Sequence, residues 1–146
     1  MIKYTDYSIV LEEIPDRVTF AVNISNCQCR CVGCHSPHLR EDIGNELTEY
    51  IIQYLFHDKI RLCNCFLFLG EGNDRESLLS INSYIKNTYD IETALYSGRD
   101  DVEDDLFDAF DYVKVGRYDE NFGPINSPTT NQRLYYKKQD ITKKMF

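Results

Sequence analysis

Arg17–Cys34, RVTFAVNISNCQCRCVGC, runs from a β-rich stretch straight into four cysteines, Cys27, Cys29, Cys31 and Cys34. The β-rich part, Arg17 to Ile24, predicts a first strand that ends at the cysteines, which therefore occupy the loop after it. Such a loop is the mouth of a βα unit.

Working outward, Leu47, Ile51, Tyr54 and Leu55 recur at helical spacing and predict a helix over about Glu46 to Phe56 that packs by that stripe. Leu62 to Leu69 is a nearly unbroken apolar run, as expected of a strand covered on both faces in a parallel sheet, with 70–74 as its exit loop. Leu78, Ile81 and Ile85 mark a second helix. Glu92 to Tyr96 reads as a third strand ending at Ser97-Gly98, Val102, Leu106 and Phe110 as a third helix, and Tyr112 to Val115 as a fourth strand. The expected order is β, α, β, α, β, α, β. From Gly116 to Arg133 the chain turns irregular, with Gly123-Pro124 and Ser127-Pro128 as breakers, before a β-like run at Leu134 to Tyr136. The Lys-rich end from Lys137 reads as a frayed tail.

At 146 residues the chain suits one domain, with a core over about 17–136, and is too short for a complete eight-fold βα barrel. Its 42% hydrophobic and 27% charged residues make a globular composition. A formal charge of −8 argues against a nucleic-acid partner, since phosphate binding needs surplus Lys and Arg. Neither a signal-peptide core nor a membrane-spanning run is read in the sequence, so the expectation is a cytoplasmic protein with no membrane association. In that reducing compartment six cysteines are thiols, metal ligands or catalytic groups sooner than disulfides.

Cys27-x3-Cys31-x2-Cys34 sets three thiolates on one short loop, able to bind three corners of an iron–sulfur cubane whose fourth iron lacks a protein ligand. Three ligands imply an iron left open for substrate, by the logic that separates catalytic from structural zinc. The competing reading is a zinc site drawn from these thiols with Cys29, His35, His38, Cys63 and Cys65. Only Cys31 and Cys34 form a C-x2-C pair, however, and Cys63-x-Cys65 is too tight for a second. Cys29 is either an alternative ligand or a bystander near the cluster. Cys63 and Cys65 read as small core residues that share one strand face with Leu67.

The pattern resembles the CxxxCxxC signature of the radical SAM superfamily. Gly70-Glu71 stands where that superfamily has a Gly-Gly-Glu motif holding the methionine ammonium of S-adenosylmethionine, although Leu69 occupies the first glycine position. Within the superfamily the chain resembles the anaerobic ribonucleotide reductase activating proteins. The residues that carry this are Gly33-Cys34, Val113-Lys114-Val115-Gly116-Arg117-Tyr118 and Ser127-Pro128-Thr129-Thr130-Asn131-Gln132-Arg133.

The resemblance implies an α/β fold, a shortened, open radical SAM partial βα barrel with mostly parallel strands. It implies a [4Fe-4S] cluster on Cys27, Cys31 and Cys34, and S-adenosyl-L-methionine held near Gly33, Cys34, Gly70 and Glu71. It further implies reductive cleavage to a 5'-deoxyadenosyl radical, fed by a low-potential electron donor. The target implied is a glycine Cα in the anaerobic ribonucleotide reductase large subunit. Tyr96 and Ser97 end the third strand, where they either meet the ribose or adenine or form a simple turn. Glu71 has its own plain reading as a helix N-terminal acid. Asn131, Gln132 and Arg133 are either caps of the irregular loop or part of a docking or active site. The run Asp100, Asp101, Glu103, Asp104 and Asp105 reads as a solvated helix start. Two rivals stay open: an activase or peptide modifier with another protein target, and a non-enzymatic metal or electron-transfer module.

Overall fold

A computed structural model of the chain describes residues 1–11, 13–25, 41–59, 62–117 and 119–145. The strands are β1 (Lys3–Val10), β2 (Thr19–Ile24), β3 (Asn45–Glu46), β4 (Cys65–Leu69), β5 (Glu92–Tyr96), β6 (Tyr112–Val115), β7 (Arg133–Tyr136) and β8 (Gln139–Asp140). The helices are α1 (Glu49–Phe56), α2 (Arg75–Tyr89) and α3 (Asp104–Ala109). One eight-stranded sheet has the order β3-β1-β2-β4-β5-β6-β7-β8 and does not close. Its middle, β2-β4-β5-β6, is parallel, while β1, β3, β7 and β8 add antiparallel pairings on either side. The fold is thus mixed α/β with a parallel centre. Among the described residues no helix is long and apolar enough to cross a membrane.

The parallel strands are apolar on both faces because each face has its own cover. On one, Phe20, Val22, Phe66, Phe68, Leu95 and Val113 pack against Ile52, Leu55 and Phe56 of α1, Leu78, Ile81 and Ile85 of α2, and Leu106 of α3. Phe66 lies at the centre of this layer, its ring centroid 5.5 Å from Phe20, 5.6 Å from Phe56 and 5.0 Å from Phe68. Each such ring, fully buried, contributes about 1.5–3 kcal/mol. On the other face, Ala21, Cys65, Leu67, Ala94, Tyr96, Tyr112 and Leu134 are covered by loop residues, Ile14 from the β1–β2 connection and Ile125 from the segment before β7.

Three local readings are corrected by the structure. The α1 stripe includes Ile52, fully buried, and excludes Tyr54, which is 75% exposed. The reason is the cap: Thr48 Oγ1 accepts from Ile51 N at 3.2 Å and starts the helix at Glu49, so Asn45–Glu46 pair with β1 instead. Positions 52, 55 and 56 then face the sheet, and 54 points away. Cys63 and Cys65 do not share a face. Cys65 lies with Leu67, but Cys63 joins the helix-side layer because Cys63 N and Asn64 N bond to Lys59 O and Val18 O before the strand begins.

The Lys-rich end is a hairpin rather than a frayed tail. Lys137 and Lys138 both take positive φ, +48° and +71°, which returns Gln139–Asp140 onto Tyr135–Tyr136. Buried Thr142 then accepts from Leu134 N at 2.9 Å.

Candidate functional site

In a parallel sheet the chain leaves every strand at the same edge, and crevices outside those carboxyl ends are where ligands bind. Here the register sets Asn23 beside Leu69, Leu69 beside Tyr96 and Tyr96 beside Lys114, so β2, β4, β5 and β6 end side by side. The exits are stitched together: Gly70 N donates to Tyr96 O at 3.0 Å, Ser97 N to Lys114 O at 2.8 Å, and Gly116 N to Arg99 O at 2.6 Å. Gly70 has φ +118°, and a Cβ there would lie 3.2 Å from Ile24 O, so a side chain would press on the neighbouring strand's backbone.

Glu71 is the first residue beyond that turn, and it is not free. Arg99 Nε donates to its Oε2 at 2.9 Å and Arg99 Nη2 to its Oε1 at 2.6 Å, while the Ser97 hydroxyl donates to Oε2. Arg99 also forks onto Glu103, through Nη1 at 3.0 Å and Nη2 at 2.8 Å. Its hydrogen bonds to Glu103 and Glu71 hold the guanidinium firmly charged, and Arg99 in turn draws the Glu103 carboxyl down to about 2. These groups border an open cavity of about 270 Å³ formed by 70–75, Leu78, Gly98, Arg99 and Glu103. The cavity's other charges are also paired: Asp74 accepts from the Met1 ammonium and caps α2 through Ser77 N, and Arg75 meets Asp105.

Cys27, Cys29, Cys31, Gly33, Cys34, His35 and His38 fall on residues 26–40, which lie outside the described residues. The flanks of that segment are described and are tied together, with Ser25 Oγ donating to Ile43 O at 2.6 Å. Ser25 follows β2 directly, one strand over from Gly70. The other two cysteines are buried. Desolvation pushes the Cys65 thiol up to about 12 and raises that of Cys63. Among the described residues no three His, Cys, Asp or Glu side chains are grouped to hold a metal ion.

Tyr96 and Ser97 differ in what they can reach. The Tyr96 ring is buried on the loop-covered face under Lys114 Nζ, 4.2 Å from its centroid, and its hydroxyl donates to Glu13 O. Burial pushes its phenol well above the usual range. Ser97, 2% exposed, turns its hydroxyl to Glu71 and so belongs with that carboxylate.

The 127–133 segment serves β6. Gln132 Nε2 donates to Gly116 O at 3.2 Å and Asn131 Nδ2 to Arg117 O at 3.0 Å, so these two side chains act as caps. Arg133 faces Asp140 at 4.0 Å. The acidic run Asp100, Asp101, Glu103, Asp104 and Asp105 is exposed at the start of α3, but it is not only solvated: Glu103 pairs with Arg99 and Asp105 with Arg75. Arg99 is the residue that reading the sequence missed; the available signal was its place directly after Ser97-Gly98 and four residues before Glu103.

Comparison of the chain with protein-family models, curated proteins and solved structures finds no match.

Proposed function

We propose that the chain is a radical S-adenosylmethionine activase, working in the cytoplasm with a low-potential electron donor. In this reading it binds a [4Fe-4S] cluster through Cys27, Cys31 and Cys34 and generates a glycyl radical on the large subunit of an anaerobic ribonucleotide reductase. The fold is then a shortened, open version of the radical SAM barrel. The observation that carries the reading is an adjacency. Ser25, the last described residue before Cys27-x3-Cys31-x2-Cys34 in the sequence, follows β2 next to the end of β4, where Gly70 turns the chain and Glu71 presents a carboxylate.

The donor set fits such a cluster. Three thiols lie close in sequence, and the two described cysteines, Cys63 and Cys65, are packed into separate core layers. Cys27, Cys31 and Cys34 would hold the cluster, which would supply the electron for reductive cleavage of S-adenosylmethionine.

The chain's own residues bind and orient. Glu71 accepts the methionine ammonium, and the Ser97 hydroxyl holds that carboxylate in place from β5. Gly70 allows the tight exit that brings Glu71 to the sheet edge. An eight-stranded sheet that does not close leaves a side that a partner protein's glycine-bearing loop can cover.

The test is a cysteine series on anaerobically reconstituted protein. Cys27→Ala, Cys31→Ala and Cys34→Ala should each abolish S-adenosylmethionine cleavage, whereas Cys29, Cys63 and Cys65 variants should retain much of it. Full activity in any of the first three variants would overturn the assignment.

A further inference from the structure

We propose that Arg99 is a gate on the ammonium site: it occupies Glu71 when the cavity is empty, and the cosubstrate's ammonium displaces it onto Glu103. This rests on the functional reading above and adds a regulatory element to the same site.

Four features of the structure carry it. First, the group on Glu71 is a cation that uses the oxygens a ligand ammonium needs, through a two-point fork at 2.9 and 2.6 Å. An ammonium reaching the same carboxylate meets a like charge, so both do not bind at full strength. Second, Arg99 has somewhere to go. Its other fork to Glu103, at 3.0 and 2.8 Å, survives departure from Glu71, so the guanidinium is never left unpaired.

Third, the pair that must open is screened from one side: the Arg99 side chain is 40% exposed, so water takes up the guanidinium as it leaves Glu71, and the 20% exposed Glu71 carboxylate is the more desolvated group that the arriving ammonium then neutralises. Fourth, Glu71 keeps its place without Arg99, because the Ser97 hydroxyl binds it independently.

The neighbouring charges make the exchange decisive for the cavity. Asp74 is held by the Met1 ammonium and Arg75 by Asp105, so displacing Arg99 uncovers one carboxylate, Glu71. The cavity accepts a compact cation carried on a larger ligand, and a ligand without that cation gains nothing from opening the pair. Arg99 is a positioning residue in this scheme; it makes no contact with the reacting atoms.

The experiment is a calorimetric titration of the reconstituted full chain with S-adenosylmethionine and with its analogue in which hydrogen replaces the α-amino group. Arg99→Gln should tighten S-adenosylmethionine binding by about fivefold, the gain expected when a weak competing pair is removed. It should leave the analogue unchanged. Glu103→Gln removes the guanidinium's resting place and should weaken binding by ~twofold. In the Glu71→Gln background, Arg99→Gln should give no tightening.

Arg99→Lys keeps the charge but not the fork and should tighten binding to a smaller extent. It serves as the test variant if circular dichroism shows Arg99→Gln to be unfolded. Weaker or unchanged binding in a folded Arg99 variant overturns the gate while leaving the cosubstrate reading intact. No binding and no cleavage by the wild-type protein overturns the cosubstrate reading, and the gate falls with it.

Discussion

Glu71→Gln separates a structural role from a ligand-binding one, because the structure sets different sizes for the two effects. For stability, the substitution weakens a fork to a guanidinium that is 40% exposed and that keeps Glu103, and it leaves an acceptor for the Ser97 hydroxyl. Solvent screening holds such a pair to about 0.2–1 kcal/mol, so the unfolding free energy should fall by no more than about 1 kcal/mol. For binding, the proposed function gives Glu71 one charge-assisted bond to the methionine ammonium, whose loss costs about 1.5–3 kcal/mol. That corresponds to roughly a tenfold to hundredfold weaker dissociation constant. Urea unfolding gives the first number and anaerobic calorimetric titration with S-adenosylmethionine the second. Cluster content should be unchanged. Undiminished affinity would refute the role assigned to Glu71. A stability loss well above 2 kcal/mol would show that Arg99–Glu71 is instead a structural clamp.

The buried Cys65 thiol has a folded pKa of about 12 against an ordinary value of 9.0, so the unfolded chain ionises first as pH rises. Its contribution is complete below pH 9 and is lost between 9 and about 12. The stability difference between wild type and Cys65→Ala should therefore shrink when unfolding is measured at pH 10.5 rather than 7, and a constant difference would contradict the burial argument. Gly116→Ala should destabilise by about 1–3 kcal/mol in urea unfolding. A Cβ there meets Gln132 Cα at 2.8 Å at φ +108°, and a neutral result would mean that the 127–133 segment is not packed as described. If the proposed function holds, mixing the protein anaerobically with an anaerobic ribonucleotide reductase and S-adenosylmethionine should raise a glycyl-radical EPR doublet on the reductase, and a reductase with Ala at the radical-site glycine should show none. Active cleavage with no doublet on the wild-type partner would remove the activase assignment.

The parallel centre of the fold was legible because its strands are short, largely apolar runs. Phe66 to Leu69, Glu92 to Tyr96 and Tyr112 to Val115 are framed by polar turns, and the helices between them keep their spacing. The antiparallel additions were harder to see. β1 carries Asp6 and Ser8 among Tyr4, Tyr7 and Ile9 and has a register shift between Tyr4 and Tyr7, so it lacks a clean alternation. β8 follows a turn built from two lysines in place of the usual Asn-Gly.

At the site, Gly70-Glu71 and Ser97 could be placed at strand exits from sequence. The Glu71–Arg99–Glu103 fork could not, since it depends on how two loops from neighbouring strands face each other. Cys63 and Cys65 were legible as core but not as lying on opposite layers, because the turn before β4 breaks the alternation.

The proposed function turns on an iron–sulfur cluster with one iron open to S-adenosylmethionine. It is tested most directly by iron analysis and EPR of the anaerobically reconstituted, reduced protein before and after S-adenosylmethionine is added. The expected result is a brown protein holding about four irons per chain whose signal changes on addition, with release of 5'-deoxyadenosine. A colourless protein holding zinc, or a cluster whose signal is indifferent to S-adenosylmethionine, would contradict it.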